Sequence, residues 1–337
     1  MIPFPPRSAI DYRDGKIRFI DQRYLPGRLE IIETDDFRVV AKAIKTLAIR
    51  GAPLIGVAAA FAVASYARIV VDHPDAVKRL ITSIEILRAT RPTAVNLFNS
   101  LAIMQLALES APVEALVSTL EYAAIAIHDD DRNRCELIAA AGLPLVPADA
   151  RIVTICNTGF LATAGIGTAL GVITKAFDAG KVSEVFALET RPLLQGARLT
   201  AWELIQSNIP ATLLVDGAAA SLLKRGGIDL AIIGADRIAA NGDTANKIGS
   251  LQLALACSKF GVPFYVAAPF TTFDSGTASG EQIEIEERVA TEVTHFAGKE
   301  SAPPGIAVYN PAFDVVDAGL ITAFVTDRGL FKPHYSF

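Results

Sequence analysis

The chain has 337 residues, 51% of them hydrophobic, and a formal net charge of -5; it exceeds the ~50–250 residues of a typical domain, so two domains are expected. Its basic residues are scattered within an acidic total, which argues against nucleic acid as a partner. Three cysteines, none in a Cys-x-x-Cys pair, exclude a disulfide framework and fit a reducing cytoplasm.

The N-terminus, with Pro3, Pro5, Pro6 and Arg7 but no apolar core segment, does not read as a secretory signal. Lys16 to Ile20 and Arg28 to Glu33 read as short strands, and Asp35 to Ala141 as mostly helical with Ala-rich amphipathic spacing. The longest apolar run, Val57 to Ala64, is followed by Ser65, Tyr66 and Arg68, so no uninterrupted span of membrane-helix length is expected and no membrane is a partner. Pro144 and Pro147 break the helical pattern and mark a boundary, giving domains over 1–145 and 146–337. Beyond it, strand signals at Arg151 to Ile155, Glu184 to Leu188, Ala211 to Val215, Leu230 to Ile233, Val262 to Ala268 and Ile306 to Tyr309 alternate with helical ones. The fold class is therefore α/β: a Rossmann-like, mostly parallel sheet domain preceded by a mainly helical domain with a few short strands.

Two loops stand out. Asp236 lies just past the apolar, β-branched run Leu230 to Ile233, at the strand edge where open α/β sheets bind ligands. A lone loop aspartate is usually a helix cap. Here Asp243 and Thr244 are the cap candidates for a helix over Ile248 to Phe260, with Asn246 and Lys247 in its first turn, where backbone N–H groups and the dipole favour an anion. Cys156 ends the strand Arg151 to Ile155, and parallel topology carries it to the same edge as Asp236. Free cysteine is ordinarily a small buried hydrophobe, a reading that suits Cys135 and Cys257 within helical patterns.

Gly165, Gly167 and Gly171, with Glu189 ending a later strand, suggest a dinucleotide fingerprint. That fingerprint needs a glycine directly after the strand, whereas Cys156 to Ala164 intervene, so the glycines read as close packing or a shaped loop. His73, His128, His295 and His334 share no ligand spacing, and Asp129 to Asp131 read as a solvated helix start rather than a cation cage. No cofactor and no metal are expected. Glu284, Glu286 and Glu287 suit local ion pairing with Arg288, and Thr271 to Gly280 reads as a mobile loop.

Motifs spread over the chain carry a resemblance: Leu25-Pro26, Ile49 to Gly56, Arg91 to Leu97, the Cys156 loop, Glu189 to Pro192 with Gln195-Gly196, Asp236 to Gly249, Ile285 to Arg288, and Tyr309 to Asp314. Together they resemble the methylthioribose-1-phosphate isomerase family, which is related to the regulatory subunits of the guanine-nucleotide exchange factor of translation initiation. The resemblance implies a cytoplasmic, homodimeric enzyme of methionine salvage, an aldose–ketose isomerase acting on a small sugar phosphate. It implies Cys156 and Asp236 as the catalytic pair and Arg50, Gly51, Ala52, Arg91, Gln195, Asn246 and Lys247 as the substrate-binding residues. One departure is Ile155, where family members often carry histidine. The forked guanidinium suits bidentate phosphate binding and lysine adds a point charge; Arg50, between Ala48-Ile49 and Gly51-Ala52-Pro53, does not sit on a solvated face. Alternative readings are an isomerase of 5-deoxyribose 1-phosphate or ribose 1,5-bisphosphate, and a non-enzymatic scaffold of the exchange-factor subunit type.

Overall fold

The computed structural model describes residues 7–91 and 95–332. Pro3, Pro5 and Pro6, the Pro92-Thr93-Ala94 part of the Arg91 motif and His334 lie outside the described residues. The chain divides into two compact units: residues up to Glu136 with Thr158–Gly167, and Leu137–Asn157 with everything from Thr168 onward. Pro144 and Pro147 predict a boundary after 145, yet the division falls earlier because Ile138 already packs in the core of the second unit.

In the first unit, β1 (Ile10–Arg13), β2 (Lys16–Ile20) and β3 (Ile31–Thr34) form an antiparallel sheet in that order. Five helices follow: α1 (Phe37–Lys45), α2 (Ala52–Val70), α3 (Ala76–Arg88), α4 (Val95–Ser110) and α5 (Leu116–Gly142), whose last residues, from Leu137, belong to the second unit. Asp36 starts α1 by accepting from Arg38 N–H at 2.8 Å. Helix α2 packs against α1, α3 and α4 and is buried without a break from Leu54 to Ala67. By length and composition alone α2 could cross a bilayer, which corrects the expectation that no span is long enough; it is apolar all round because its own unit surrounds it. Asp129 to Asp131 lie in the middle of α5 rather than at a helix start, and Asp131 accepts from Ala164 N–H at 2.6 Å.

The second unit runs β4 (Ala150–Thr154), α6 (Ala169–Asp178), β5 (Val182–Leu188), α7 (Ala201–Gln206), β6 (Ala211–Leu214), α8 (Ala219–Arg225), β7 (Leu230–Ile233), β8 (Arg237–Ala239), β9 (Thr244–Lys247) and α9 (Ser250–Phe260). It continues through β10 (Phe264–Ala267), β11 (Phe273–Asp274), α10 (Thr291–Thr294), β12 (His295–Phe296), β13 (Lys299–Glu300), β14 (Phe313–Val316), β15 (Ala323–Thr326) and β16 (Gly329–Phe331). The main sheet has the order β16-β15-β10-β7-β4-β5-β6, parallel throughout except for β16. Numbered along the chain from β4, its parallel strands lie in the order 3-2-1-4-5-6 of the doubly wound nucleotide-binding fold. Alternate residues feed opposite faces: Ile152, Val185 and Ile232 enter one core, and Val153, Phe186 and Ile233 the other.

Two expectations are corrected here. Ile306 to Tyr309 is not a strand; both ends are exposed, Pro303, Pro304 and Pro311 flank the run, and the strand forms later, as β14. Thr271 to Gly280, expected to be a mobile loop, is tied to the β8–β9 turn, where Thr277 O accepts from Ala240 N–H at 2.8 Å and Gly280 N–H donates to Asp243 Oδ2 at 3.0 Å.

Candidate active site

The strand order reverses between β4 and β7, and at such a point the loops leaving the two carboxyl ends part to open a crevice. Cys156 leaves β4 there and Asp236 leaves β7, with Val153 paired to Ala231 fixing the register. The loop after β5, the next strand over, carries Glu189 to Gln195 to the same edge.

Cys156 is buried and has φ +64, an uncommon conformation for a non-glycine residue. Its N–H donates to Thr190 Oγ1 at 2.9 Å and its carbonyl accepts from Thr200 Oγ1 at 2.5 Å. Asn157 Nδ2 donates to Thr200 Oγ1 at 3.2 Å and to Glu203 Oε1 at 2.6 Å, so the buried Glu203 carboxylate anchors the same network. Thr190 and Arg191 in turn donate their N–H groups to the two carboxylate oxygens of Asp216, at 2.8 and 2.7 Å.

On the other side of the switch, Asp236 is exposed and donates its N–H to Ala245 O at 2.9 Å. Ile233 and Ile238, its apolar neighbours in sequence, face the core and do not wall the carboxyl. Thr244 to Lys247 form β9, antiparallel to β8 and β14, so Asn246 and Lys247 precede α9 instead of lying in its first turn. The turn joining β8 and β9 holds Asn241-Gly242, and Asp243 bonds within that turn and to Ala318 N–H rather than capping α9. Arg237 pairs with Ala245 and Asp236 N–H bonds the same residue, so Asp236 lies beside the residue that precedes Asn246. Asn246 Nδ2 donates to Ser250 Oγ at 2.8 Å; Lys247 Nζ donates to Ala312 O at 2.7 Å and sits 4.3 Å from the centre of the Phe313 ring. The N-terminus of α9 is occupied by the carboxylate of Asp314, which accepts from Gly249 N–H at 2.8 Å. Burial pushes that carboxyl up, against hydrogen bonds from the backbone N–H groups of Gly249, Ser250 and Leu251 that pull it down.

Gln195 is buried, and its Oε1 meets no hydrogen-bond partner among the described residues. It opens a π-helical turn, Gly196–Thr200, of the kind that recurs at functional sites. The turn passes so close to β5 that a Cβ on Gly196 would lie 1.7 Å from Leu188 O. Only glycine fits.

In the first unit, Arg50, Gly51 and Ala52 form the start of α2. Gly51 has φ +100, and a Cβ there would lie 2.4 Å from the Ala162 backbone, which accepts from Leu54 N–H at 3.2 Å. Arg91, partly exposed, follows α3. Cys135 and Cys257 are buried in α5 and α9, their thiols pushed by burial up to about 12. Among the described residues no three His, Cys, Asp or Glu side chains gather as a metal would require. Arg288 bonds Glu286 and Glu292 in a local ion-pair set, with Glu292 rather than Glu287 as its second partner.

Sequence reading missed Thr190, Asn157, Thr200 and Glu203 as neighbours of the cysteine. Glu203 alone left a trace, as a lone carboxylate among Ala201, Trp202, Leu204 and Ile205.

The model of the initiation factor 2 subunit family matches residues 48–333. A methylthioribose-1-phosphate isomerase of Heliobacterium modesticaldum is 51% identical, covering 97% of this chain and 96% of its own. The chain belongs to the methylthioribose-1-phosphate isomerase family. Among solved structures, 5-methylthioribose 1-phosphate isomerase from Pyrococcus horikoshii OT3 is similar with a TM-score of 0.91 at 36% identity, over 99% of this chain and 96% of that one. The delta subunit of translation initiation factor eIF-2B from A. fulgidus is similar with a TM-score of 0.90 at 38% identity, over 98% of this chain and 97% of that one. Membership places the chain among sugar-phosphate aldose–ketose isomerases while the wider family also contains initiation-factor subunits.

Proposed function

We propose that the chain converts 5-methylthioribose 1-phosphate to 5-methylthioribulose 1-phosphate, a step of methionine salvage. The observation that carries the reading is the emergence of Cys156 and Asp236 from the adjacent strands β4 and β7 at the switch point, with Asp236 bonded through its N–H to Ala245, the residue before Asn246.

A sugar phosphorylated on its anomeric oxygen cannot open to a free aldehyde, so isomerisation must break the ring C1–O bond with the phosphate in place. Asp236 gives a proton to the ring oxygen as that bond breaks. Hydrogen moves from C2 to C1, and as the ketone forms the C2 hydroxyl releases its proton to the Asp236 carboxylate, which restores the acid. The transfer runs either as a proton through an enolate-like intermediate, with Cys156 as the relay, or as a hydride to an oxocarbenium-like C1, with Cys156 stabilising the transition state. Lys247 and Asn246 hold the phosphate and sugar, and the buried Oε1 of Gln195 accepts from a substrate hydroxyl, the partner it otherwise lacks. The family resemblance adds Arg50, Gly51, Ala52 and Arg91 to the phosphate and sugar ligands. The protein acts as a cytoplasmic homodimer; three free cysteines suit a reducing compartment.

The test is turnover of purified protein on 5-methylthioribose 1-phosphate, 5-deoxyribose 1-phosphate and ribose 1,5-bisphosphate. Preference for the first supports the reading. Absence of turnover on all three, with a nucleotide or protein partner bound instead, replaces it with the scaffold reading that the likeness to the A. fulgidus delta subunit favours.

A further inference from the structure

We infer that Thr190 and Thr200 are positioning residues for the Cys156 thiol, gripping its peptide units from both sides and holding them in the left-handed conformation. The inference rests on the proposed role of Cys156.

Cys156 at φ +64 occupies a left-handed region that an ordinary side chain seldom adopts, and such a conformation persists only where the surroundings impose it. The two threonine hydroxyls impose it by a strict sharing of protons. Each hydroxyl has one proton to give. Thr190 gives its own to Leu188 O at 3.0 Å, so towards Cys156 it acts only as acceptor, and it receives the cysteine N–H. Thr200 gives its proton to the cysteine carbonyl and receives Asn157 Nδ2, so it acts there only as donor. Neither hydroxyl can rotate without losing both of its bonds.

Each threonine is itself fixed. The Asp216 carboxylate fastens Thr190 through the N–H groups of Thr190 and Arg191, and Thr190 is also left-handed, at φ +66. Thr200 ends the π-helical turn and is held through Asn157 by the buried Glu203. Thr190, Thr200, Asn157 and Glu203 are all at least nine-tenths buried, and the half-buried Asp216 holds Thr190 from the start of the segment before α8. The arrangement spans residues 34 and 44 positions from Cys156 in sequence, and it holds the cysteine through its backbone N–H and carbonyl. What it controls is the direction in which Cβ–Sγ leaves the strand end. A relay or stabilising thiol must meet the reacting carbons within a fraction of an ångström, whereas a merely structural cysteine need not.

The experiment compares Thr200→Val, Thr200→Ser and Thr190→Val with wild type and Cys156→Ala, reading kcat and KM for 5-methylthioribose 1-phosphate and the rate at which iodoacetamide alkylates Cys156. Valine keeps the shape of threonine and removes its hydrogen bonds. Thr200→Val should lower kcat of the folded protein by roughly tenfold to a hundredfold, with KM within a few-fold, and change the alkylation rate of Cys156; Thr200→Ser should restore both. Where Thr200→Val yields no folded protein, Thr190→Val reads the same grip from the amide side. A kcat and an alkylation rate within twofold of wild type in the folded valine variants, with Cys156→Ala inactive, overturns the inference and leaves the role of Cys156 standing. Full activity of Cys156→Ala overturns both.

Discussion

Asp314 Oδ2 lies 2.8 Å from Gly249 N, so the start of α9 is capped by a carboxylate from β14 before any substrate arrives. The anion that a helix N-terminus attracts is here supplied internally, and Lys247 and Asn246 lie on the strand preceding the helix, not in its first turn.

Replacing this cap should separate its hydrogen bonds from its charge. Asp314→Ala loses the acceptor and should cost about 0.5–2 kcal/mol of stability. Asp314→Asn keeps an oxygen for the N–H groups and avoids burying a charge. Because burial raises the carboxyl in the folded state, the folded protein holds its proton more firmly than the unfolded chain does, and wild-type stability falls as pH rises through that window. Denaturation across the window should therefore show Asp314→Asn gaining on wild type with rising pH. A parallel pair of curves would mean the carboxyl is not desolvated.

Asp131 offers a second such window, closing at about pH 6. Burial pushes its carboxyl up to about 6, against the hydrogen bond from Ala164 N–H. The folded state binds the proton more tightly, so the favourable contribution is present below about pH 4 and is lost as pH rises to about 6. The ionised group costs up to roughly 3 kcal/mol above that range. Asp131→Asn should flatten the melting temperature between pH 4 and 6; an unchanged slope would place the carboxyl in water.

The sheet and its two central loops were legible because Leu230 to Ile233 and Arg151 to Ile155 are short, apolar and β-branched, a pattern that buried parallel strands share with little else. The β8–β9 hairpin was less so, although Asn241-Gly242 is a strong hairpin signal; the helical spacing beginning at Ile248 drew Thr244 to Lys247 into the wrong element. The exposure of Asp236 and the inward turn of Ile233 and Ile238 depend on which face of the sheet each residue takes, and a short strand does not encode that in its own residues. The threonine contacts to Cys156 were beyond reach because their partners meet only through tertiary folding.

Lys247 should act mainly in binding. In its proposed role the ammonium would contact the phosphate in ground and transition states alike, so Lys247→Met should raise KM more than it lowers kcat. The same Nζ holds Ala312 O at 2.7 Å, so a modest fall in thermal stability should accompany the change. Arg91→Lys keeps the charge and loses the fork, and should weaken binding measured by calorimetry. Wild-type KM in Lys247→Met, or wild-type affinity in Arg91→Lys, removes that residue from the phosphate site.

The thiols should separate by environment. Cys135 and Cys257 are buried with thiols pushed up to about 12, so a small alkylating agent should leave them unreacted in the folded protein. Alkylation of Cys156 should abolish activity, and saturating substrate or product should slow it. Peptide mapping after partial inactivation checks the assignment: loss of activity tracking modification of Cys135 or Cys257 would transfer the role.

Asp236 carries the sharpest expectation. Acting as the acid on the ring oxygen requires a proton on the carboxyl at the moment of reaction, yet Asp236 is exposed and its apolar sequence neighbours face the core. Desolvation must then come from the bound substrate, which covers the carboxyl and disfavours its charged form. The consequence lies in which constant carries the pH dependence, since kcat reports groups in the enzyme–substrate complex and kcat/KM those in the free enzyme. The alkaline loss of rate as Asp236 ionises should appear in kcat. Asp236→Asn keeps the shape, loses the transferable proton and should lower kcat by ~10²–10⁴-fold with substrate affinity by calorimetry little changed. Turnover of Asp236→Asn within a few-fold of wild type would reduce Asp236 to a residue of the β7–β8 turn and assign the acid to another group at the strand edge.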